Sequence, residues 1–227
     1  MAWLKNREGG GIFPPPFFMP THPEFPNITG VILGGGQSRR MGRDKRRLHW
    51  EGEPFLDRVS RLMAKLFKDV LVVTAENDYE GSHLPVRLVT DRIPHKGSLG
   101  GLYTGLVEAK NSSCFVVACD MPFLNLECIA LMCHRFSKNI SVVRISRGLQ
   151  PLHARYTKEC IPVIEQMIHD GDLKIQNLLT HSDLSIDILD ESIFHNIDPY
   201  GKTFMNINTP ADFEFARKFS LDPSLSE

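Results

Sequence analysis

One stretch of this chain restricts its fold and its ligand together. The apolar run from Ile28 to Leu33 ends in Gly34-Gly35-Gly36 and continues as Gln37-Ser38-Arg39-Arg40-Met41-Gly42-Arg43-Asp44-Lys45. Consecutive glycines at a strand end expose backbone N–H groups with no side chains in the way, a geometry that suits an anion. Behind them Arg39, Arg40, Arg43, Lys45, Arg46 and Arg47 stand against Asp44 alone. A basic run is ordinarily a solvated face; after a glycine turn it reads as a seat for a polyphosphate. Because the whole chain carries a net charge of only -1, this basic character is local. Nucleic acid and membrane surfaces are therefore not expected partners.

From Ile28 onward, short apolar runs alternate with segments of helical period, which predicts a single α/β domain with a mostly parallel sheet. Val31 to Leu33 is the first strand, Val70 to Thr74 the second and Val86 to Thr90 the third. Phe55, Leu56, Val59, Leu62, Met63 and Leu66 define one helical face between them. Leu99, Leu102, Leu106 and Val107 define another, behind Gly97 and Ser98. Cys114 to Cys119 is a central strand, followed by strands at Ser141 to Ile145 and Pro151 to Tyr156 and a helix from Thr157 to His169. Thr180 to Asp198 shows no clear period. Thr209-Pro210-Ala211-Asp212 supplies an N-cap threonine, a proline at the first helical position and a carboxylate at the third, predicting a last helix to about Lys218. The domain is expected to span residues 28–227. Residues 1–27, rich in glycine and proline, read as a disordered or loosely attached extension whose prolines break any signal-peptide core. Met19 lies much nearer the first strand than Met1 does. The 5 cysteines form no Cys-x-x-Cys pair, so reduced core thiols in a cytoplasmic protein are expected. No apolar stretch approaches the roughly 18 residues of a membrane helix.

Ligands of open α/β sheets bind at the carboxyl ends of the strands. The glycine loop, Asp91 and Asp120 all fall at such ends. Either aspartate alone would ordinarily shape a turn; together they suggest a nucleotide pocket with a metal ligand. The loop is not a dinucleotide fingerprint, because Arg39 stands where glycine is needed, and it has no Gly-Lys-Ser or Gly-Lys-Thr to make a P-loop. A glycine turn followed by arginines and a lysine suits transfer at an α-phosphate, where charge builds on the phosphoryl oxygens and the leaving diphosphate. Asp120 is the expected ligand for Mg²⁺, a hard cation that accepts one or two carboxylates and keeps its waters. No His-x-x-x-His pair points to zinc. His153 reads as a structural histidine, Met132, Phe136 and Met167 as core, and Asn206 and Asn208 as turn formers before the last helix.

Leu33 to Lys45 resembles the signature of the molybdenum cofactor guanylyltransferases, Leu-Ala-Gly-Gly-x-Ser-x-Arg-Met-Gly-x-Asp-Lys. Gly97-Ser98-Leu99-Gly100-Gly101, Cys119-Asp120-Met121-Pro122, Pro151-Leu152-His153 and Asn206-Ile207-Asn208-Thr209-Pro210 resemble further motifs of that family, in family order, over Ile28 to Lys218. The resemblance implies a three-layer, Rossmann-like nucleotidyltransferase domain that joins GMP from GTP to the terminal phosphate of molybdopterin. It implies nucleotide contacts from Leu33, Gly34, Gly35, Lys45, Asp91 and Asp120, catalytic roles for Lys45, Arg39 and Asp120, magnesium on Asp120, and pterin contacts from Asn206 and Asn208. It also implies contact with molybdoenzymes or their chaperones. Gly34 stands where the family usually has alanine, Ser98 where it has proline, and Gly100 where alanine is common. The first and second motifs are thought to read the base, so CTP-dependent cytidylyl transfer to the same pterin stays open beside GTP, as does a sugar-phosphate acceptor. A non-catalytic nucleotide-binding protein is a further alternative, disfavoured by the presence of both Lys45 and Asp120.

Overall fold

The computed structural model describes residues 4–5, 12–13, 24–34, 49–75, 86–135 and 138–221, with backbone alone at 4–5, 12–13 and 219–221. The strands are β1 (Leu4–Lys5), β2 (Ile12–Phe13), β3 (Phe25–Leu33), β4 (His49–Trp50), β5 (Glu53–Pro54), β6 (Phe67–Thr74), β7 (Arg87–Thr90), β8 (Ser113–Ala118), β9 (Ile140–Ile145), β10 (Gly148–Thr157) and β11 (Ile186–Asp190). The helices are α1 (Phe55–Leu66), α2 (Gly97–Glu108), α3 (Leu126–His134), α4 (Ile161–His169), α5 (Ile175–Leu178) and α6 (Pro210–Leu221).

Seven strands form one sheet in the order β11-β9-β10-β8-β3-β6-β7. Its strands are parallel except β10, which pairs antiparallel with both β8 and β9. Strand alternation divides the apolar residues between two layers. Ile28, Ile32, Phe115 and Val117 pack with Leu56, Val59, Met63, Ile129 and Met132 of α1 and α3. Val31, Leu33, Cys114 and Val116 pack with Leu99, Leu102 and Leu106 of α2 and with Ile164 and Met167 of α4. The central strands are apolar on both faces because helices cover both, the pattern of a parallel sheet. The α/β class is as the sequence pattern predicts, and the three layers are as the resemblance implies.

Several boundaries differ from expectation. The first strand begins at Phe25, so residues 25–27 belong to the sheet and not to the extension, while β1 and β2 form a short ladder of their own. The helix expected from Thr157 begins at Ile161. Thr157 still pairs with Ser113, and a 3-10 turn, Lys158–Cys160, precedes Pro162 in the first turn of α4. The segment without a clear period holds edge strand β11 and a 3-10 turn over Glu191–Phe194. Met132 and Met167 are buried as expected, and Phe136 lies outside the described residues.

Two smaller assemblies flank this frame. At the amino ends of the strands, Asp69 Oδ1 accepts from Arg87 Nε at 2.9 Å. Its Oδ2 accepts from Arg87 at 3.0 Å, Thr29 Oγ1 at 3.0 Å and Lys110 N at 3.3 Å. At the opposite end, β4 and β5 form a hairpin whose two turn residues, Glu51 and Gly52, both have positive φ, at 52° and 84°. That turn matches the twist of a two-residue hairpin. Trp50 carries the hairpin into a third cluster with Phe55, Ile207 and Ala216, against Phe123, Met205 and Phe213.

Candidate active site

The sheet ladder runs one residue past several strand ends and brings the candidate residues to one edge of the domain. Gly34 N donates to Val73 O at 2.8 Å, Cys119 N to Leu33 O at 3.1 Å, and Asp91 N to Thr74 O at 2.7 Å. The Gly34 N–H is thus spent inside the sheet, whereas the Leu33 carbonyl, with two lone pairs, can still accept a second bond. Any nucleotide contact at Gly34 has to come from its other atoms. Leu33 is buried against α2, 3.4 Å from where a Cβ on Gly101 would sit. Gly35, Arg39 and Lys45 lie outside the described residues.

Asp91 joins β7 to α2. Its Oδ1 accepts from Thr104 Oγ1 at 2.7 Å and from Ile93 N at 3.1 Å, while Thr104 Oγ1 accepts from Arg92 N at 3.0 Å. Asp91 Oδ2 lies 3.6 Å from the space a Cβ on Gly100 would take. That Cβ would also sit 2.8 Å from Lys96 Cβ and 2.9 Å from Ile93 O, so alanine does not fit at residue 100 without shifting the start of α2.

Asp120 follows β8 and is only 8% exposed. Asn206 Nδ2 donates to its Oδ1 at 3.2 Å, and Ile207 N donates to its main-chain oxygen at 2.9 Å. The expected Asn206 and Asp120 are therefore brought together across 86 positions of chain. Asn208 is exposed instead, and its N–H donates to Asp212 Oδ2 at 2.9 Å. Thr209 N donates to the same oxygen and Asp212 N to Thr209 Oγ1, a reciprocal cap on α6.

His153 lies on β10 opposite Val117, fully buried, edge-on to Phe115 and Phe204, with Nε2 3.3 Å from Thr203 Oγ1. Burial pushes its pKa down to about 4, so the ring is neutral, and Nδ1 has no hydrogen-bond partner among the described residues. It is structural, though only half satisfied. All 5 cysteines are free and buried. Burial raises Cys114 and Cys160 to about 12 and moves Cys128 and Cys133 upward as well, so these four are not thiolate nucleophiles. Among the described residues no group of three or more His, Cys, Asp or Glu side chains could hold a metal by itself. No helix among them is long and apolar enough to cross a membrane.

A family model for the MobA-like NTP transferase domain matches residues 30–185. The chain belongs to the MobA-like NTP transferase family. The "Probable molybdenum cofactor guanylyltransferase" of Natranaerobius thermophilus is 34% identical over 199 residues, covering 85% of this chain and 96% of that protein. The molybdenum cofactor guanylyltransferase of Desulfosudis oleivorans is 33% identical over 193 residues, covering 83% and 94%. The crystal structure of molybdopterin-guanine dinucleotide biosynthesis protein A from Archaeoglobus fulgidus superposes with a TM-score of 0.71 at 24% identity, over 86% of this chain and 99% of that one, and so shares the fold.

Within this MobA-like frame, Gly34 is closely packed against β6. The methyl of an alanine there would point at Thr74 Cγ2 and Val72 Cγ1, both 3.3 Å away. Sequence reasoning missed Trp50, Arg58 and Thr203, none of which carries a motif of its own. Thr203 accepts from Asn125 N, donates its own N–H to Asp198 Oδ2 and meets His153, which fixes the segment leading into Asn206. Gly201-Lys202-Thr203 has the last three letters of a P-loop, but Asn196 stands where that pattern needs glycine, and the triplet opens a 3-10 turn.

Proposed function

We propose that this MobA-like transferase moves GMP from GTP onto the terminal phosphate of molybdopterin, forming the guanine dinucleotide of the cofactor and releasing diphosphate. An oxygen of the pterin's phosphate attacks the α-phosphorus of GTP, the bond from that phosphorus to the bridging oxygen breaks, and diphosphate leaves. The attacking group is already an anion, so a general base is not required and no covalent enzyme intermediate is involved. Positioning and charge stabilisation then supply the rate.

The observation that carries this reading is the buried Asp120 carboxylate held by Asn206 at the strand ends that also carry Gly34 and Asp91. The arrangement is two-sided. Asp91 and α2 form the side where we place the nucleoside, and Asn206 and its flanking residues the side where we place the acceptor. A single aspartate oxygen donor fits Mg²⁺ that arrives with a nucleotide, since such a cation takes one or two carboxylates and fills its other positions with water and phosphate. When bound, Mg²⁺ would neutralise charge gathering on the α-phosphate and the leaving group. Asp120 is the residue that would hold it, and Lys45 and Arg39 are the cations placed on the triphosphate. Asn208 enters this reading through the cap it helps form on α6, and a direct contact with the pterin remains part of the proposal. The free cysteines support a cytoplasmic location within this reading, and delivery to molybdoenzymes or their chaperones would follow from the product's use.

Diphosphate release measured with GTP and with CTP, each with molybdopterin or a sugar phosphate as acceptor, tests the reading. Release with GTP and molybdopterin, with mass-spectrometric detection of the guanine dinucleotide, is the expected result. A preference for CTP would make the protein a cytidylyltransferase, and release only with a sugar phosphate would remove the pterin from the account.

A further inference from the structure

We infer that Arg58 is a positioning residue for the transfer. It holds the Asp120 turn against the β4–β5 hairpin. The inference rests on the reading of Asp120 as the carboxylate that faces the transferred phosphate.

Arg58 lies in the first turn of α1, which follows β5 without an intervening loop, so its backbone moves with the β4–β5 hairpin. Its Nε donates to the Pro122 carbonyl at 2.9 Å. Its Nη1 is 3.6 Å from Glu51 Oε2 and 3.8 Å from Glu53 Oε2, and Glu53 is itself clasped by Arg61 through bonds of 3.0 and 2.8 Å. The acidic pair aims the guanidinium, and the guanidinium holds the turn. Pro122 lies only two residues beyond Asp120, in a segment that belongs to neither β8 nor α3. The same joint is closed by an edge-on contact between Trp50 and Phe123 with ring centroids 5.0 Å apart.

Arg58 thus joins the turn that carries Asp120, through Pro122, to the β4–β5 hairpin. The Asp120 turn is thereby referred to one rigid element, helix α1. A guanidinium suits this task because its planar fork reaches a carbonyl and carboxylates in different directions at once; an ammonium is a single point charge. The ion pairs by themselves are worth little at a partly exposed site. The bond to Pro122 is the one that sets geometry.

Arg58→Met and Arg58→Lys test this in the full chain. Three quantities are measured: kcat and KM for GTP across a Mg²⁺ titration, the affinity for Mg²⁺ with GTP by calorimetry without acceptor, and the melting temperature without ligand. For Arg58→Met the expected result is a kcat lowered about 10- to 100-fold, the scale of a small misplacement of reacting groups. A higher Mg²⁺ requirement, weaker binding of Mg²⁺ with GTP, and a melting temperature lowered by only about 3 to 8 °C should accompany it. Arg58→Lys should recover part of kcat. Normal kcat and normal Mg²⁺ dependence in Arg58→Met, well below its melting point, would overturn the inference. So would a loss explained wholly by unfolding. Asp120→Asn, run in parallel, separates the two ideas: if it is inactive while Arg58→Met is normal, only the positioning role fails, and if Asp120→Asn is active the underlying reading fails first.

Discussion

Asp69 and Asp120 are equally hidden, each 8% exposed, yet they sit at opposite ends of the same sheet and the proposed function uses only Asp120. At the amino ends, Asp69 is gripped by the Arg87 fork, the Thr29 hydroxyl and the Lys110 amide. Burial pushes its pKa up, but the bonds from Arg87, Thr29 and Lys110 outweigh this and hold it below the ordinary carboxylate value. At the carboxyl ends, the described bond to the Asp120 side chain comes from a neutral amide, Asn206. A guanidinium fork ties the Asp69 carboxylate into the fold; in the proposed transfer the Asn206 amide orients the Asp120 carboxylate. Burial by itself marks neither as functional.

The largest expected effect lies at the carboxyl end. Asp120→Ala and Lys45→Ala should each lower kcat about 10²- to 10³-fold, the usual cost of removing one electrostatic contributor at a reacting phosphate. Circular dichroism and the melting temperature should stay close to those of the parent protein. Near-normal turnover in either variant would break the contrast. Asp69→Asn is the converse. It leaves Arg87 half-buried without its carboxylate and should cost about 2 to 3 kcal/mol in chemical denaturation, while kcat of the folded protein at low temperature is unchanged. The same variant should flatten the acid limb of the stability curve. A depressed folded pKa gives stability that is complete above the ordinary value of 3.8 and is lost as pH falls below it.

His153 sharpens the comparison because its shift works at milder pH. It is neutral in the fold, with a pKa of about 4, but titrates near 6.5 when exposed. The unfolded chain therefore binds more protons between those values, so stability is complete above pH 6.5 and declines as pH falls towards 4. Between pH 7.5 and pH 5 the loss should reach about 2 kcal/mol. Denaturation midpoints of His153→Gln should lack that slope. If the slope persists, other groups cause it and the burial of His153 is not what the fold pays against acid.

The parallel sheet, both helical layers and the gathering of Gly34, Asp91 and Asp120 at one edge were legible in the sequence because apolar runs and strand-end residues are local signals. The α6 cap was legible for the same reason, since Thr209 and Asp212 meet within one turn. The Asp120–Asn206 bond could be suspected only from a family motif, as nothing local links residues 86 apart. Trp50 and Arg58 were not legible at all. Their partners Phe123, Phe213 and Pro122 come from distant segments, and a two-residue strand such as β4 has too few positions to show a period. Gly34 was legible as a strand-end glycine, but the ladder to β6 that consumes its N–H was not, because no inspection of neighbouring residues reveals it.

That ladder bond yields the smallest expected effect and the finest test of the contrast between the two ends. Gly34 lies at the carboxyl end, where the site is proposed, yet is bonded and packed as part of the sheet, like the groups around Asp69. A Cβ there meets Val72 Cγ1 and Thr74 Cγ2 at 3.3 Å and Val73 O at 3.4 Å, so its neighbours must give by a few tenths of an ångström. Its φ is not in the left-handed region, so alanine also stiffens the unfolded chain, and the two effects oppose each other. Gly34→Ala should change stability by less than about 1 kcal/mol. Because the added methyl points at β6, the ratio of kcat/KM for GTP to that for CTP should stay within about twofold, well short of the discrimination that a base contact provides. A tenfold change in that ratio would mean that residue 34 reads the base after all, through its Cα or carbonyl, and that the sheet and the site cannot be separated at this strand end.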